Sequence, residues 1–163
     1  MKVINYRNLA ALDSMIALFP LNKDSLKINA YIKYDNQIKD ITYNAYSSTV
    51  ESVVNSNSLQ FIQDEELLQY LVSWKEVLLD FQEEETIYYK MMNDHFWPYF
   101  IEVSDYTGKD TEMGRKGMST VKFQNMVINR RNYFIAITKA IEEEPIENHI
   151  NQIIRLTEPN RKK

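Results

Sequence analysis

Cysteine is absent from this chain of 163 residues, and glycine and proline are scarce. Without cysteine, the chain has no disulfide, no thiol nucleophile and no Cys-bound zinc. Three Gly and four Pro are too few for the frequent turns of an all-β fold, and 44% apolar residues is more than a disordered chain carries. The composition therefore favours one helical domain with a core of useful size.

Long basic runs and long apolar runs are missing as well. The formal net charge is -4, and Lys and Arg are not clustered as phosphate neutralisation requires. No window approaches the ~18–20 consecutive apolar residues of a membrane helix, and residues 1–20 lack the apolar core of a signal peptide. We therefore expect no nucleic-acid partner and no membrane span within these residues.

Apolar residues recur at helical spacing in most of the chain. The clearest stripe keeps a spacing of four and three; it consists of Leu67, Leu71, Trp74, Val77, Leu78 and Phe81. Asp64 stands before this stripe as an N-cap. The pattern predicts an all-α helical bundle of about five or six helices with up-down topology, at about 3–19, 24–38, 48–57, 64–97, 120–144 and 146–154.

The pattern is lost between residues 104 and 119, where all three glycines lie among charged residues. This stretch predicts one long, flexible loop between the last two long helices. Pro98 lacks an N–H and predicts a kink or stop at the end of the preceding helix. We expect a single domain over residues 1–163, ending in a charged tail at 157–163.

The stretch from Ser48 to Leu78 resembles a bacterial family of single-span membrane-anchored proteins, a domain of unknown function. The family pattern is a short helix, a Ser-Gly turn, a Leu-x-Leu-Ile segment and a long helix with a Leu, Leu, Trp face. The matching stretches here are Thr49 to Asn57, Leu59 to Ile62, and Leu67, Leu71 and Trp74. Asn57 replaces the usual Gly and Val50 the usual aromatic residue. The resemblance implies an inner-membrane protein with a membrane helix ahead of this domain and the domain itself in the periplasm. It implies no catalytic residue.

Carboxylates are plentiful in this chain, but histidines are few and cysteine is absent. The two histidines, His95 and His149, are not preceded at three residues by Glu, so the Glu-x-x-His signature of di-metal bundles is absent. We predict no metal, no cofactor and no catalytic residue, and we place His149 at the surface. Gly114 to Gly117 lacks the spacing of a phosphate-binding loop and is interpreted as a connector.

Two functions fit this sequence. The first is a non-enzymatic interaction or sensor-type domain, with a protein partner possible. The second is a small-molecule-binding helical bundle whose cavity lies between Trp74, Tyr88, His95 and Phe134.

Arg130 lies in the middle of the apolar stripe of the last long helix, between Val127 and Phe134. A charge in that position needs a partner. If the two long helices are antiparallel, the nearest carboxylates are Asp94 and Glu85, and Glu85 likewise interrupts the stripe of its own helix. We predict a partly buried ion pair between Arg130 and Asp94 or Glu85; the alternative is an Arg130 that extends along its stem to solvent.

Overall fold

The computed structural model describes residues 2–39, 47–143 and 146–158, without the side chains of Ser47 and Asn57. All regular elements in these residues are helical. They are α1 (Lys2–Ile16), α2 (Ser25–Asp35), α3 (Ser47–Asn55), a 3-10 helix (Asn57–Phe61), α4 (Glu65–Met91), a π-helical turn (Met92–Phe96), α5 (Trp97–Val103), α6 (Thr111–Met118), α7 (Val121–Glu143) and α8 (Ile146–Thr157).

The predicted all-α helical bundle is confirmed. Each of the six predicted helices is present, and none of the described residues forms a strand. No helix in the described ranges combines the length and the apolar character that crossing a membrane requires. Of the predicted charged tail, the residues after Glu158 lie outside the described ranges.

Helix α4 begins as its sequence predicts. The Asp64 carboxylate accepts a hydrogen bond from the Leu67 N–H at 3.1 Å, so one of the donors that a first turn leaves unpaired is satisfied. Trp74 and Phe81 are buried, at 6% and 1% exposure. The apolar stripe is therefore the face that α4 buries.

Pro98 does not stop the helix, although a π-helical turn interrupts the regular hydrogen bonding just before it. The chain passes through the π-helical turn and re-enters α-helix at Trp97, whose N–H donates to the carbonyl of Met92, five residues back. A wider turn just before proline relieves the clash that its ring would make with the carbonyl four residues earlier. Pro98 then lies at the start of α5, where a missing N–H costs little.

The predicted loop at 104–119 is wrong over its second half, because α6 forms there. Asp110 caps this helix and accepts from the Met113 N–H at 3.0 Å. The preceding turn is organised by Asp105, whose carboxylate accepts from the backbone N–H groups of Thr107, Lys109 and Asp110. Side-chain capping therefore supplies the order that apolar periodicity does not reveal.

The chain forms two compact units, each assembled from separate stretches of sequence. The first contains residues 1–41 and 84–138, and the second contains residues 42–83 and 139–163. Helices α4 and α7 contribute residues to both units, so the prediction of one domain over residues 1–163 stays a prediction.

The core of the first unit is built around Phe123. Its ring centroid lies 5.4 Å from that of Tyr31, 6.2 Å from Phe96 and 6.4 Å from both Phe19 and Tyr99. Each such pair adds about 0.5–1.5 kcal/mol beyond the burial of its area. This aromatic cluster connects residues from α2, α5, α7 and the π-helical turn.

The second unit contains α3, the 3-10 helix, most of α4 and α8. Its buried apolar side chains are Trp74, Leu78, Phe81, Ala140, Ile141, Ile146 and Leu156. At its surface Arg155 pairs with Glu66 at 2.8 Å, with about half of each side chain exposed. Such a pair contributes about 0–1 kcal/mol, so apolar burial stabilises this unit.

Candidate functional site

Arg130 is buried and paired, but its partner is Asp35 rather than Asp94 or Glu85. The Arg130 Nη1 lies 2.8 Å from the Asp35 Oδ1, and Nε donates to the Tyr88 hydroxyl at 3.3 Å. The Asp94 side chain is exposed. The prediction overlooked Asp35 because it considered only the two long helices. Asp35 is the last residue of α2, and it lies against Arg130 of α7.

The residues around Arg130 stabilise the charged form of its guanidinium. Burial alone lowers the pKa of Arg130, but the Tyr88 hydroxyl and the Asp35 carboxylate raise it by more, so the net pKa lies above its usual value. The guanidinium also lies over the Phe96 ring, 5.5 Å from its centroid. Only 7% of the Arg130 side chain is exposed, so its guanidinium connects helices and is not accessible to a ligand.

Tyr31 lies in the same cluster. Burial, and then the Asp35 carboxylate, raise the pKa of Tyr31 far above its usual value, while Arg130 acts in the opposite direction. Its hydroxyl has no hydrogen-bond partner among the described residues. The phenol is therefore neutral at every physiological pH and is no candidate for a base.

The four residues predicted to line a ligand cavity are not gathered together in either unit. Tyr88 and Phe134 pack ring against ring, with centroids 5.1 Å apart, and both are buried. The His95 side chain is exposed. Trp74 belongs to the second unit, where its ring centroid lies 6.2 Å from that of His149.

His149, predicted at the surface, is buried at 6% exposure. Its Nε2 lies 2.8 Å from the Tyr70 carbonyl oxygen and 3.2 Å from the Ser73 Oγ. A carbonyl can only accept, and Ser73 already donates to the Gln69 carbonyl, so Nε2 carries the proton and donates. His149 follows Ile146 by three residues, on the apolar stripe of α8, and this spacing was the sequence signal for its burial.

The first unit has a groove between α1 and α2, here called the α1–α2 groove. Its volume is about 570 Å³, which falls in the usual range for small-molecule sites. Helix α1 contributes Ile4, Arg7, Asn8, Ala10, Ala11 and Ser14 to its lining; Tyr34, Gln37 and Lys39 line the opposite side.

The wall of the α1–α2 groove at Lys39 is held by Asn8. The Asn8 amide donates to the Lys39 carbonyl at 2.7 Å and accepts from the Lys39 N–H at 3.0 Å. This two-point contact fixes the main chain just after α2, where the regular helical bonds have ended. The sequence offered no motif for this site because Arg7 and Lys39 are far apart in the chain and neither lies in a recognisable pattern.

The described residues contain no group of three or more His, Cys, Asp or Glu side chains that could hold a metal ion. The lining of the α1–α2 groove contains two exposed cations, Arg7 and Lys39, which can pair with an anionic group.

Comparisons with protein-family models, with curated proteins and with solved structures gave no match to this chain. The resemblance carried by Ser48 to Leu78 therefore stays a prediction.

Proposed function

We propose that this chain is a non-enzymatic, sensor-type domain that binds a small molecule in the α1–α2 groove. The observation that carries the proposal is the groove itself, which combines a small-molecule volume with two exposed cations, Arg7 on α1 and Lys39 on the opposite side. The proposal combines the two functions predicted from the sequence, the sensor-type domain and the small-molecule-binding bundle. It places the ligand at the surface of the first unit and not in the core.

A variant that fills the groove tests the proposal. Ala10 is exposed and lines the groove, so Ala10→Trp occupies the binding space without entering the core. Ala17→Trp is the matched control, because Ala17 is exposed and does not line the groove. A panel of anionic, neutral and cationic small molecules is screened by thermal shift against all three proteins.

At least one compound is expected to raise the melting temperature of the wild type and of Ala17→Trp, but not that of Ala10→Trp. If no compound in any charge class separates Ala10→Trp from its control, the groove is not a ligand site and the proposal is wrong.

We also propose that the parent protein is anchored in the bacterial inner membrane with this domain in the periplasm. Only the resemblance of Ser48 to Leu78 supports this placement. Fractionation of the natural gene product, followed by protease treatment of spheroplasts, tests it. Recovery in the soluble cytoplasmic fraction would contradict it.

A further inference from the structure

The charged residues that line the α1–α2 groove have the same sign. Arg7 and Lys39 are both cationic, and no Asp or Glu lies among the lining residues. The chain as a whole has a net charge of -4, so the groove is a local reversal of the average. Neither cation forms an ion pair with any residue that the structure describes. Their charges are available to a ligand.

Two other polar side chains of the lining, Asn8 and Ser14, already donate to main-chain carbonyls. Both atoms of the Asn8 amide are used by the Lys39 main chain. The Ser14 hydroxyl donates to the Ala10 carbonyl at 2.8 Å and keeps only its acceptor capacity. Arg7 and Lys39 supply the charged donors of the lining, and these favour an anionic acceptor.

Tyr34 and Gln37 add polar groups on the α2 side, and the apolar part of the lining comes from α1. Ala10 and Ala11 leave space where larger side chains would close the gap, and Ile4 adds an apolar edge. A fully hydrophilic anion such as phosphate would leave this surface without contact. An apolar chain bound to the anionic head would cover it.

From these observations we infer that the ligand of the α1–α2 groove is a small amphipathic anion, with a single acidic head and a linear apolar tail. The inference rests on the proposed function and adds the chemical class of the ligand. The head lies between Arg7 and Lys39, and the tail lies along the alanines of α1. Two further CH2 groups in the tail strengthen binding about tenfold as long as they remain in the groove.

Isothermal titration of the whole chain with decanoate, decanol and decyltrimethylammonium tests the inference, since the three share one tail and differ in charge. Decanoate is expected to bind best, and more weakly at high salt. Arg7→Gln combined with Lys39→Gln is expected to weaken decanoate about tenfold, the loss of two exposed charge contacts. Lys33→Gln is the matched control: Lys33 is exposed on α2, does not line the groove, and its loss leaves the affinity unchanged.

Ala10→Trp separates binding in the groove from detergent-like adsorption. Decanoate affinity is expected to disappear in this variant, and affinity that persists overturns the inference. The inference is also overturned if decanol or decyltrimethylammonium binds as tightly as decanoate or more tightly, or if an acidic peptide binds in its place. The proposed function nevertheless stands if Ala10→Trp abolishes that binding. If nothing binds and the small-molecule panel also fails, both proposals are wrong.

Discussion

Removal of Asp35 is expected to destabilise the protein more than removal of Arg130, although Asp35 is the more exposed partner. The Arg130 side chain is 7% exposed and that of Asp35 is 40% exposed. Asp35→Ala leaves a buried guanidinium without its carboxylate, which lowers the free energy of unfolding by about 3–5 kcal/mol. About 0.3–1 kcal/mol of this loss is offset, because a carboxylate at the last residue of α2 interacts unfavourably with the helix dipole. Arg130→Met leaves a carboxylate that water can solvate and costs about 1–2 kcal/mol.

Urea unfolding followed by far-ultraviolet circular dichroism measures both free energies. The double variant is expected to be nearly as stable as Arg130→Met alone, because it contains no stranded guanidinium. Asp13→Ala is a matched control: Asp13 pairs with Arg131 where both side chains are substantially exposed, so its loss costs about 0–1 kcal/mol. A cost for Asp35→Ala below ~1 kcal/mol, or below that of Arg130→Met, would refute the reasoning.

Three further predictions use other features of the fold. Gly117→Ala places a Cβ against a neighbouring side chain of α5 and lowers the free energy of unfolding by about 1–3 kcal/mol. Gly114→Ala in the same helix meets open space and raises it by about 0.5–1 kcal/mol. Equal effects in urea titrations would contradict the close packing at Gly117. Asn5→Leu removes a fully buried amide that has no partner among the described residues and raises the free energy of unfolding by about 1–3 kcal/mol. Asn8→Leu removes a hydrogen-bonded amide and lowers it by about as much. A destabilised Asn5→Leu would mean that the Asn5 amide has hydrogen-bond partners. Hydrogen bonds from Thr107 and backbone N–H groups lower the pKa of Asp105 from 3.8 to about 2, so its stabilisation is present above pH 3.8 and is lost as the pH falls toward 2. The melting-temperature difference between wild type and Asp105→Asn should therefore shrink as the pH falls from 3.8 through 2, and a difference that is constant with pH would rule out this carboxylate as its cause.

Local patterns explain which parts of the fold were predictable. Asp64 and the stripe through Trp74 lie on one helix, so their spacing contains the evidence for both the start of α4 and its buried face. The order before α6 depends on the carboxylates of Asp105 and Asp110, which cap turns without any apolar periodicity. A search for such periodicity therefore predicted a loop there.

The candidate site was less predictable because its residues come from separate helices. Burial of Arg130 follows from its place in a stripe of α7, but its pairing with Asp35 depends on where the end of α2 comes to lie. The Lys39 side of the α1–α2 groove likewise depends on a contact between distant residues, because Asn8 of α1 holds the Lys39 main chain.

The sequence by itself determined the helical class, the positions of six helices and the need of Arg130 for a partner, because each is a property of neighbours within one or two helical turns. Tertiary structure decided which carboxylate meets Arg130, that His149 donates to the Tyr70 carbonyl, and that Arg7 comes to share a groove with Lys39. These pairings join residues far apart in the chain. They depend on how the helices pack, which the apolar stripe of a single helix does not specify.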